Sequence, residues 1–288
     1  AWDGANVSPT YGVIWISGDN FRARAVKLDN IRKVGFWFKD VVDGSVLDCD
    51  ILGNYPTGSW TGVETGHFGV LFDPSSGASG GNFQAVGNRI KTCVQGVFGG
   101  NYGIGGRISG LNIAGNLFES CWNHGVYTNT SDGAVVAGNT FNRCQIPVAC
   151  TGSYNSITGN TLYTSVNTVG DQRDLTGIQV RDSRGSIVVA NTIKGVVDAS
   201  ASVLIDIVNL DGSTAIEDNV VADNTIRVTA GSVTHAIRVE GNTVVSRNNR
   251  IAGNTIVAPG NNLNGLIAAG GANGSSNNTV DGNTLRAT

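Results

Sequence analysis

Two carboxylic acids in the second half of the chain, Asp206 and Glu240, are placed so that they could do acid–base chemistry. Each ends a short segment in which apolar and polar residues alternate, as they do in a β-strand. Aligning the two segments on the small residue that opens each one puts both carboxylates in one outward row of neighbouring strands, roughly 5 Å apart or somewhat more. Two carboxylates this close repel each other, so one should hold a proton while the other stays ionised. Glycoside hydrolases use such an acid and base pair.

Basic and aromatic side chains near this pair are candidates for substrate contacts. Arg181 lies one repeat earlier and Arg238 lies beside Glu240, so either guanidinium could position an anionic sugar. The other candidates are the stacking residue Tyr127 and its polar or aromatic neighbours, Gln179, His124 and Trp122. The ordinary alternative is a surface salt-bridge ladder, in which the two arginines simply neutralise the acids.

These residues depend for their positions on a repeat. Residues 135–141 read apolar, any, small, Asn, any, apolar, and the same pattern returns at intervals of 21 to 34 residues, the range in which repeats stack as a solenoid. The central residues of the copies are Asn54, Asn88, Asn116, Asn139, Asn160, Asn191, Asn224, Asn254 and Asn283, with Asn30 as a weaker copy.

The local pattern around each Asn indicates strands that meet at a corner. The flanking apolar residues lie in stretches that alternate with the strand period of two. Asn tolerates the left-handed conformation of a sharp bend, and its amide can hydrogen-bond to the Asn one coil above and below. We therefore predict an all-β parallel β-helix: a solenoid of about nine to ten coils with an asparagine ladder at one corner.

The repeats also set the domain prediction. Residues 1–27 are expected to form an entry strand or an irregular first coil, and residues 28–288 the β-helix. Residues 55–66 and 73–81 are rich in Gly, Ser, Thr and Pro and should be loops. The chain shows no secretion signal and no polar cap after Asn283, so we expect a fragment of a longer protein.

Composition narrows the possible partners. The chain has 41 Gly and only 14% charged residues, with a net charge of -3 and no basic run, so no nucleic-acid partner is expected. No apolar stretch approaches the ~18 residues needed to span a membrane.

Cys93, Cys121 and Cys144 recur at one place in successive repeats and should be buried free thiols. No CxxC pair or matching His is present, so neither a metal nor a cofactor is expected.

An oligomer is a further expectation. Four apolar residues are predicted to point outward in one row of the second strand of each repeat: Leu71, Phe98, Leu204 and Ile267. Together with the uncapped final coil, this row motivates the hypothesis of a homotrimer.

The repeats, as at Ile251-Ala252-Gly253-Asn254-Thr255-Ile256, resemble the right-handed parallel β-helix proteins of the pectate-lyase-like superfamily. Their Gly-Asn-Thr corners are similar to carbohydrate-binding and sugar-hydrolase β-helix repeats and to the shafts of bacteriophage tailspikes. The resemblance implies a right-handed fold, an extracellular polysaccharide substrate that is bacterial or acidic, and a location outside the cell or on a virion surface. The pectate-lyase Arg motif and the alginate-epimerase Asp-Pro-His motif are missing, so no functional residue carries over.

We predict binding and depolymerisation of such a polysaccharide by glycosidic hydrolysis, with Asp206 and Glu240 as the catalytic pair. A lyase of the same fold is the nearest variant, with a basic residue neutralising the uronate. The alternative from another class is a non-catalytic structural or adhesive β-helix.

Overall fold

The structure, a computed structural model, describes residues 14–54, 67–74, 81–100, 108–164, 176–197, 203–231, 233–241, 243–258, 263–270 and 274–287. Residues 1–13, and residues 55–66 and 75–80 of the expected loops, lie outside the described residues.

Three long parallel sheets account for most of the described chain, and each has ten strands. Sheet A consists of Ile14–Ile16, Val34–Lys39, Phe68–Asp73, Gln95–Gly99, His124–Thr128, Ile146–Thr151, Ile178–Arg181, Val203–Val208, Val233–Glu240 and Leu263–Gly270. Sheet B consists of Phe21–Arg24, Gly44–Leu47, Phe83–Val86, Asn112–Ala114, Val135–Ala137, Ser156–Thr158, Ile187–Val189, Val220–Ala222, Arg250–Ala252 and Thr279–Asp281. Sheet C consists of Lys27–Ile31, Asp50–Gly53, Arg89–Lys91, Leu117–Glu119, Thr140–Asn142, Thr161–Thr164, Thr192–Val197, Thr225–Gly231, Thr255–Ala258 and Thr284–Ala287.

One strand of each sheet makes one coil, so the chain winds as a right-handed parallel β-helix and the predicted fold is confirmed. Two small sheets lie outside the three long ones: Ile108–Ser109 with Ser131–Asp132, and Ile216–Glu217 with Ser246–Arg247 and Ser275–Ser276. The described residues include no helix of the length and apolarity needed to cross a membrane.

The core is built from inward rows that the alternation of the sequence predicts. In sheet C the residue two places after each ladder Asn from Asn88 to Asn254 is buried, and the aligned row is Ile90, Phe118, Phe141, Leu162, Ile193, Ile226 and Ile256. Leu285, the corresponding residue of the final coil, is 46% exposed. The rings of Phe118 and Phe141 stack with centroids 4.8 Å apart. Stacking identical positions coil upon coil removes a continuous apolar stripe from water, which is the main stabilising term of such a solenoid.

The asparagine ladder runs along the corner between sheets B and C. The backbone N–H and the side-chain amide of Asn88 both donate to Oδ1 of Asn116, at 2.8 and 2.9 Å, and the amide also donates to the Val46 carbonyl. The same bonds recur through Asn116, Asn139, Asn160, Asn191, Asn224, Asn254 and Asn283. Each amide therefore satisfies buried groups that the turn would otherwise leave unpaired.

Two details of the predicted corner are wrong. Asn54 and Asn30 are not part of this ladder: the N–H of Cys49 donates to Oδ1 of Asn88, so Cys49 holds the ladder position in its coil. Asn54 instead donates to the side chain of Asn30 after the sheet C strand. The left-handed conformation also belongs to the small residue before each ladder Asn, as at Gly138 with φ of 62°, which leaves the Asn side chain free to point along the helix axis.

A second ladder, which was not predicted, stabilises the corner before sheet B. It runs through Asn155, Ser186, Asn219, Asn249 and Asn278, with the N–H of Asn219 donating to Oδ1 of Asn249 at 3.0 Å. Its signal in the sequence is a polar residue five places before a ladder Asn.

The cysteines agree with the sequence prediction. All five, Cys49, Cys93, Cys121, Cys144 and Cys150, are free and buried. Burial raises the pKa of the Cys93 thiol to about 12 and that of Cys150 to about 11, so both stay protonated as small core residues.

Candidate functional site

The outward side chains of sheet A form one row whose character changes along the solenoid. Paired Cα positions give this row one residue from each coil, and the earlier coils contribute apolar or aromatic residues while the later coils contribute polar ones. In order, the row is Trp15, Trp37, Leu71, Phe98, Tyr127, Ala149, Gln179, Asp206 and Arg238. The structure thus brings four of the candidate residues, Tyr127, Gln179, Asp206 and Arg238, into a single line.

The predicted alignment of Asp206 with Glu240 is wrong by two residues. Asp206 pairs with Arg238, whereas Glu240 pairs with Val208. The structure sets Ile205 opposite Ile178 and Ile237, so Leu204 takes the position that the sequence alignment gave to Ser202. A slip of two residues keeps Ile205 inward and Asp206 outward, so alternation alone could not reveal it.

Arg238 lies between the two carboxylates. Its Nε and Nη2 donate to Oδ1 and Oδ2 of Asp206 at 2.8 and 2.9 Å, and its Nη1 lies 3.5 Å from Oε2 of Glu240. The side chain of Asp206 is 2% exposed, whereas that of Glu240 is 40% exposed. One guanidinium therefore neutralises an inaccessible carboxylate and holds an accessible one beside it.

Gln179 and Arg181 extend this group toward the aromatic part of the row. The Gln179 amide donates to Asp206 Oδ2 at 3.5 Å, and its oxygen accepts from Arg181 Nε at 2.7 Å. Arg181 Nη1 is 3.5 Å from the Tyr127 hydroxyl, and the guanidinium carbon lies 5.5 Å from the centre of that ring. The result is a continuous chain of contacts from Tyr127 to Glu240, which we call the polar line.

Arg181 differs from Arg238 in its charge balance. Within the described part of the chain no carboxylate pairs with Arg181; its partners are the neutral Gln179 and Tyr127. Its positive charge therefore has no ion-pair partner among the described residues, and a ligand carboxylate or sulfate would complement it.

His124 and Trp122 lie at the aromatic end and are buried, at 6% and 7% exposure. The His124 ring stacks on Tyr127 with centroids 4.6 Å apart, and neither ring nitrogen has a hydrogen-bond partner in the described residues. Burial, with a smaller contribution from the charge of Arg181, lowers the pKa of His124 to about 3. His124 is thus neutral at physiological pH and supports the Tyr127 ring, while its contact with a substrate stays a prediction.

The sequence reasoning missed Gln95, which pairs with His124 in the register of sheet A. Its side chain is 9% exposed, and its Oε1 has no hydrogen-bond partner in the described part of the structure. The sequence does show that Gln95 and His124 occupy equivalent positions, because Gln95 precedes Gly96 just as His124 precedes Gly125.

The outward apolar row that motivated a trimer is not an exposed surface. Leu71 and Phe98 are only 3% and 2% exposed and pack with Val34 and Phe68 in a small cluster on the outer side of sheet A. Leu204 is 2% exposed and belongs to the interior cluster, because it precedes the inward Ile205 at the bend. The side chain of Ile267 lies outside the described part.

Metal ligands are not gathered anywhere in the ten described ranges: they contain no group of three or more His, Cys, Asp or Glu residues placed to hold a metal ion. The polar line itself offers hydrogen-bond donors and acceptors, the Arg181 guanidinium, the accessible Glu240 carboxylate and the Tyr127 ring.

Comparison with known proteins agrees with the architecture. Residues 102–285 match the family model described as a right-handed beta helix region. No curated protein gives a significant match to the chain. Among solved structures the chain is similar to PfbA, a surface adhesin of Streptococcus pneumoniae, with a TM-score of 0.50 and 15% identity over 94% of this chain and 62% of the adhesin.

Two further structures are similar at lower scores. The Dettilon tailspike protein has a TM-score of 0.47 and 17% identity over 90% of this chain and 55% of its own. A periplasmic alginate epimerase has a TM-score of 0.47 and 13% identity over 90% of this chain and 74% of its own. At these identities the likeness concerns the fold alone, and the chain spans less than two thirds of the length of the adhesin and the tailspike.

Proposed function

The chain belongs to the right-handed β-helix family, and from that premise we propose that the outer face of sheet A binds an extracellular polysaccharide and cleaves it by glycosidic hydrolysis. The observation that carries the proposal is the polar line, which continues without a break from Tyr127 to Glu240. A surface salt-bridge ladder would need only Asp206, Arg238 and Glu240, and it would not explain the aromatic ring and the free guanidinium that extend the line.

A sugar polymer fits this line better than a compact ligand does. The residues are spread along the solenoid, one coil after another at roughly 4.8 Å per coil, so they match an extended chain. The Tyr127 ring offers a face for the apolar side of a sugar ring. Arg181 has no carboxylate partner among the described residues and favours an acidic sugar.

Affinity electrophoresis against a panel of bacterial capsular, O-antigen and uronate polysaccharides tests the binding step. We expect at least one polymer to retard the protein, and Arg181→Gln to weaken its binding about tenfold or more, the usual effect of losing a charged hydrogen bond. The matched control is Arg227→Gln, an exposed arginine on sheet C, which should bind normally. Failure of the whole panel to bind would contradict the proposal.

For cleavage we assign the accessible Glu240 as the general acid, and Asp206, which is 2% exposed and paired with Arg238, as the residue that positions this guanidinium beside Glu240. In the corrected register the two acidic residues are offset by one coil and two residues along the strand, which corresponds to about 8 Å between Cα atoms. Arg238 lies between them, where it would also contact the sugar held at the site.

Product analysis tests this assignment. We expect new reducing ends without the ultraviolet absorbance of unsaturated sugars, and Glu240→Gln should lower the rate about a hundredfold or more while keeping polymer affinity. Asp206→Asn should also be inactive, with its stability measured in parallel because it loses the Arg238 contacts. Reducing ends with absorbance would indicate a lyase, with Arg238 neutralising the uronate. Binding without any product would indicate the adhesive alternative.

The proposed location is extracellular or on a virion surface, where such a polymer is met. A homotrimer is a separate hypothesis, and the burial of Leu71 and Phe98 removes the exposed apolar row as one of its two motivations. Light scattering of the purified chain would decide it, because a monomeric mass contradicts the trimer.

A further inference from the structure

A polar cavity lies on sheet B, in the first three coils and away from the polar line. It has a volume of about 550 Å³, and its polar lining consists of Asn20, Arg22, Asp43, Ser45, Asn82 and Gln84. This volume is within the range of about 300–1,000 Å³ that small-molecule sites occupy.

The register of sheet B explains why a cavity forms here. Arg22, Ser45 and Gln84 pair across the three coils, so a short side chain lies between two long ones. Asn20 and Asp43 are joined one residue earlier by the bond from the Asn20 N–H to the Asp43 carbonyl, at 3.1 Å. The hollow therefore has the Ser45 hydroxyl at its floor, with Arg22 and Gln84 as its two walls.

The polar side chains that line this cavity have fewer hydrogen-bond and ion-pair partners than those of the polar line. No hydrogen bond or ion pair engages any of these six side chains within the described residues, although a guanidinium and a carboxylate line the same hollow. Oδ1 of Asp43 is shielded from solvent and still has no partner. Asn20, Arg22, Asn82 and Gln84 are exposed and Asp43 is half-buried, so the free donors and acceptors of the hollow are open to a ligand that enters it.

The chemistry of the lining selects the ligand class. One carboxylate is too few for a divalent cation, which takes several oxygen ligands, and Asp43 opposes a free anion. Amides, a hydroxyl, a guanidinium and a carboxylate together match neighbouring hydroxyl groups that each donate and accept. Phe21, which is 40% exposed, also lines the cavity and offers an apolar surface.

We propose that this cavity is a carbohydrate-binding site for a single pyranose unit, with Asp43 and Arg22 as its principal contacts. It shares no residue with the polar line and does not rest on cleavage at sheet A. In a polysaccharide-binding protein it would hold a second part of the same polymer, or a branch sugar, on another face of the solenoid.

Ligand-observed saturation-transfer NMR tests the site with simple probes: the methyl glycosides of glucose, galactose, mannose, N-acetylglucosamine and glucuronic acid at millimolar concentration. We expect at least one probe to bind, and Asp43→Asn and Arg22→Gln each to weaken it about tenfold or more. Asp281→Asn, an exposed carboxylate of sheet B at the far end of the solenoid, is the matched control and should bind as the unmodified chain does. Thermal melting checks that the variants are folded.

Arg181→Gln separates this site from the polar line. Retained probe binding in Arg181→Gln, with loss in Asp43→Asn, supports the sheet B site whatever the outcome of the polysaccharide assays. Probe binding lost in Arg181→Gln but kept in Asp43→Asn and Arg22→Gln would locate the sugar on sheet A and overturn the inference. Absence of binding by every probe would overturn it as well.

Discussion

The two halves of the outward row on sheet A have the same backbone and different surfaces. In the first coils Trp15 stacks on Trp37 with centroids 5.8 Å apart, and Lys39 Nζ lies within 6 Å of both rings. In the later coils the equivalent positions hold Asp206 and Arg238, joined by two hydrogen bonds. The inward row beneath is apolar in both halves. The solenoid thus fixes the inner positions and leaves the outer row free to change its chemistry.

Tyr127 is the boundary between the halves. Its ring meets Phe98 edge to face at 5.2 Å on one side, and the Arg181 guanidinium at 5.5 Å on the other. The aromatic half is stabilised by ring packing, whereas the polar half depends on matched charges. The two halves should therefore respond differently to mutation, while changes to the shared scaffold should affect both.

Breaking the scaffold should have the largest effect. Asn139→Ala removes the acceptor for two donors of Asn116 and the donor to the Ile113 carbonyl and to Asn160, all buried. Each buried group left unpaired costs about 1–3 kcal/mol, so we expect a loss of about 4 kcal/mol or more in the free energy of unfolding, measured in urea. Asn142→Ala, at an outward position of sheet C, should change it by less than about 0.5 kcal/mol. Equal effects would mean that the ladder is not a main support.

Removing the central cation should affect the polar half strongly. Arg238→Gln leaves Asp206, at 2% exposure, without its two charged hydrogen bonds. Breaking a buried ion pair from one side costs about 3–5 kcal/mol, so we expect a loss of about 3 kcal/mol in unfolding free energy. Arg24→Gln is the control, because its ion pair with Asp48 is exposed on both sides and should contribute less than about 1 kcal/mol. A loss no larger than in the control would mean that Asp206 is satisfied by other groups.

The sequence predicts the scaffold well for a physical reason. Inward stacks such as Ile90 above Phe118, and the ladder from Asn88 onward, repeat with the same local spacing in every coil, so each copy supports the same assignment. One early coil does not follow this rule. Cys49 holds the ladder position there although it is not an Asn, and Asn54 fits the sequence pattern without joining the ladder.

The candidate site is less predictable because it depends on the register between coils of unequal length. The sequence identifies Gln179, Arg181, Asp206, Arg238 and Glu240 as neighbours on one face, which the structure confirms. It misplaces Asp206 by two residues, since the apolar pattern of the strand Val203–Val208 fits either register. The burial of His124 and the lack of a hydrogen-bond partner for Asp43 Oδ1 depend on contacts between coils. A local sequence pattern contains no information about such contacts.

Acid should destabilise the boundary through His124. The pKa of its imidazole is about 3 in the folded chain because of burial, against an ordinary value of 6.5. Between these values the unfolded chain binds a proton that the folded chain does not, so stability falls as the pH drops below 6.5, by at most about 1.4 kcal/mol per pH unit. We expect His124→Phe to reduce the loss between pH 7 and pH 5 by about 2 kcal/mol in urea titrations. The same slope in His124→Phe as in the unmodified chain would show that His124 titrates normally.

The smallest change sharpens the division of the row into two halves. Trp15→Leu removes one member of the Trp15–Trp37 stack, but Trp15 is 47% exposed, so we expect a loss of only about 1 kcal/mol in unfolding free energy, read from urea titrations. Polysaccharide affinity should stay within about twofold of the unmodified chain, since the polar line begins at Tyr127. An affinity loss as large as that of Arg181→Gln would mean that the ligand also stacks on the aromatic half. The two halves would then be one continuous binding surface, whose apolar end holds sugar rings and whose polar end holds their charged and hydroxyl groups.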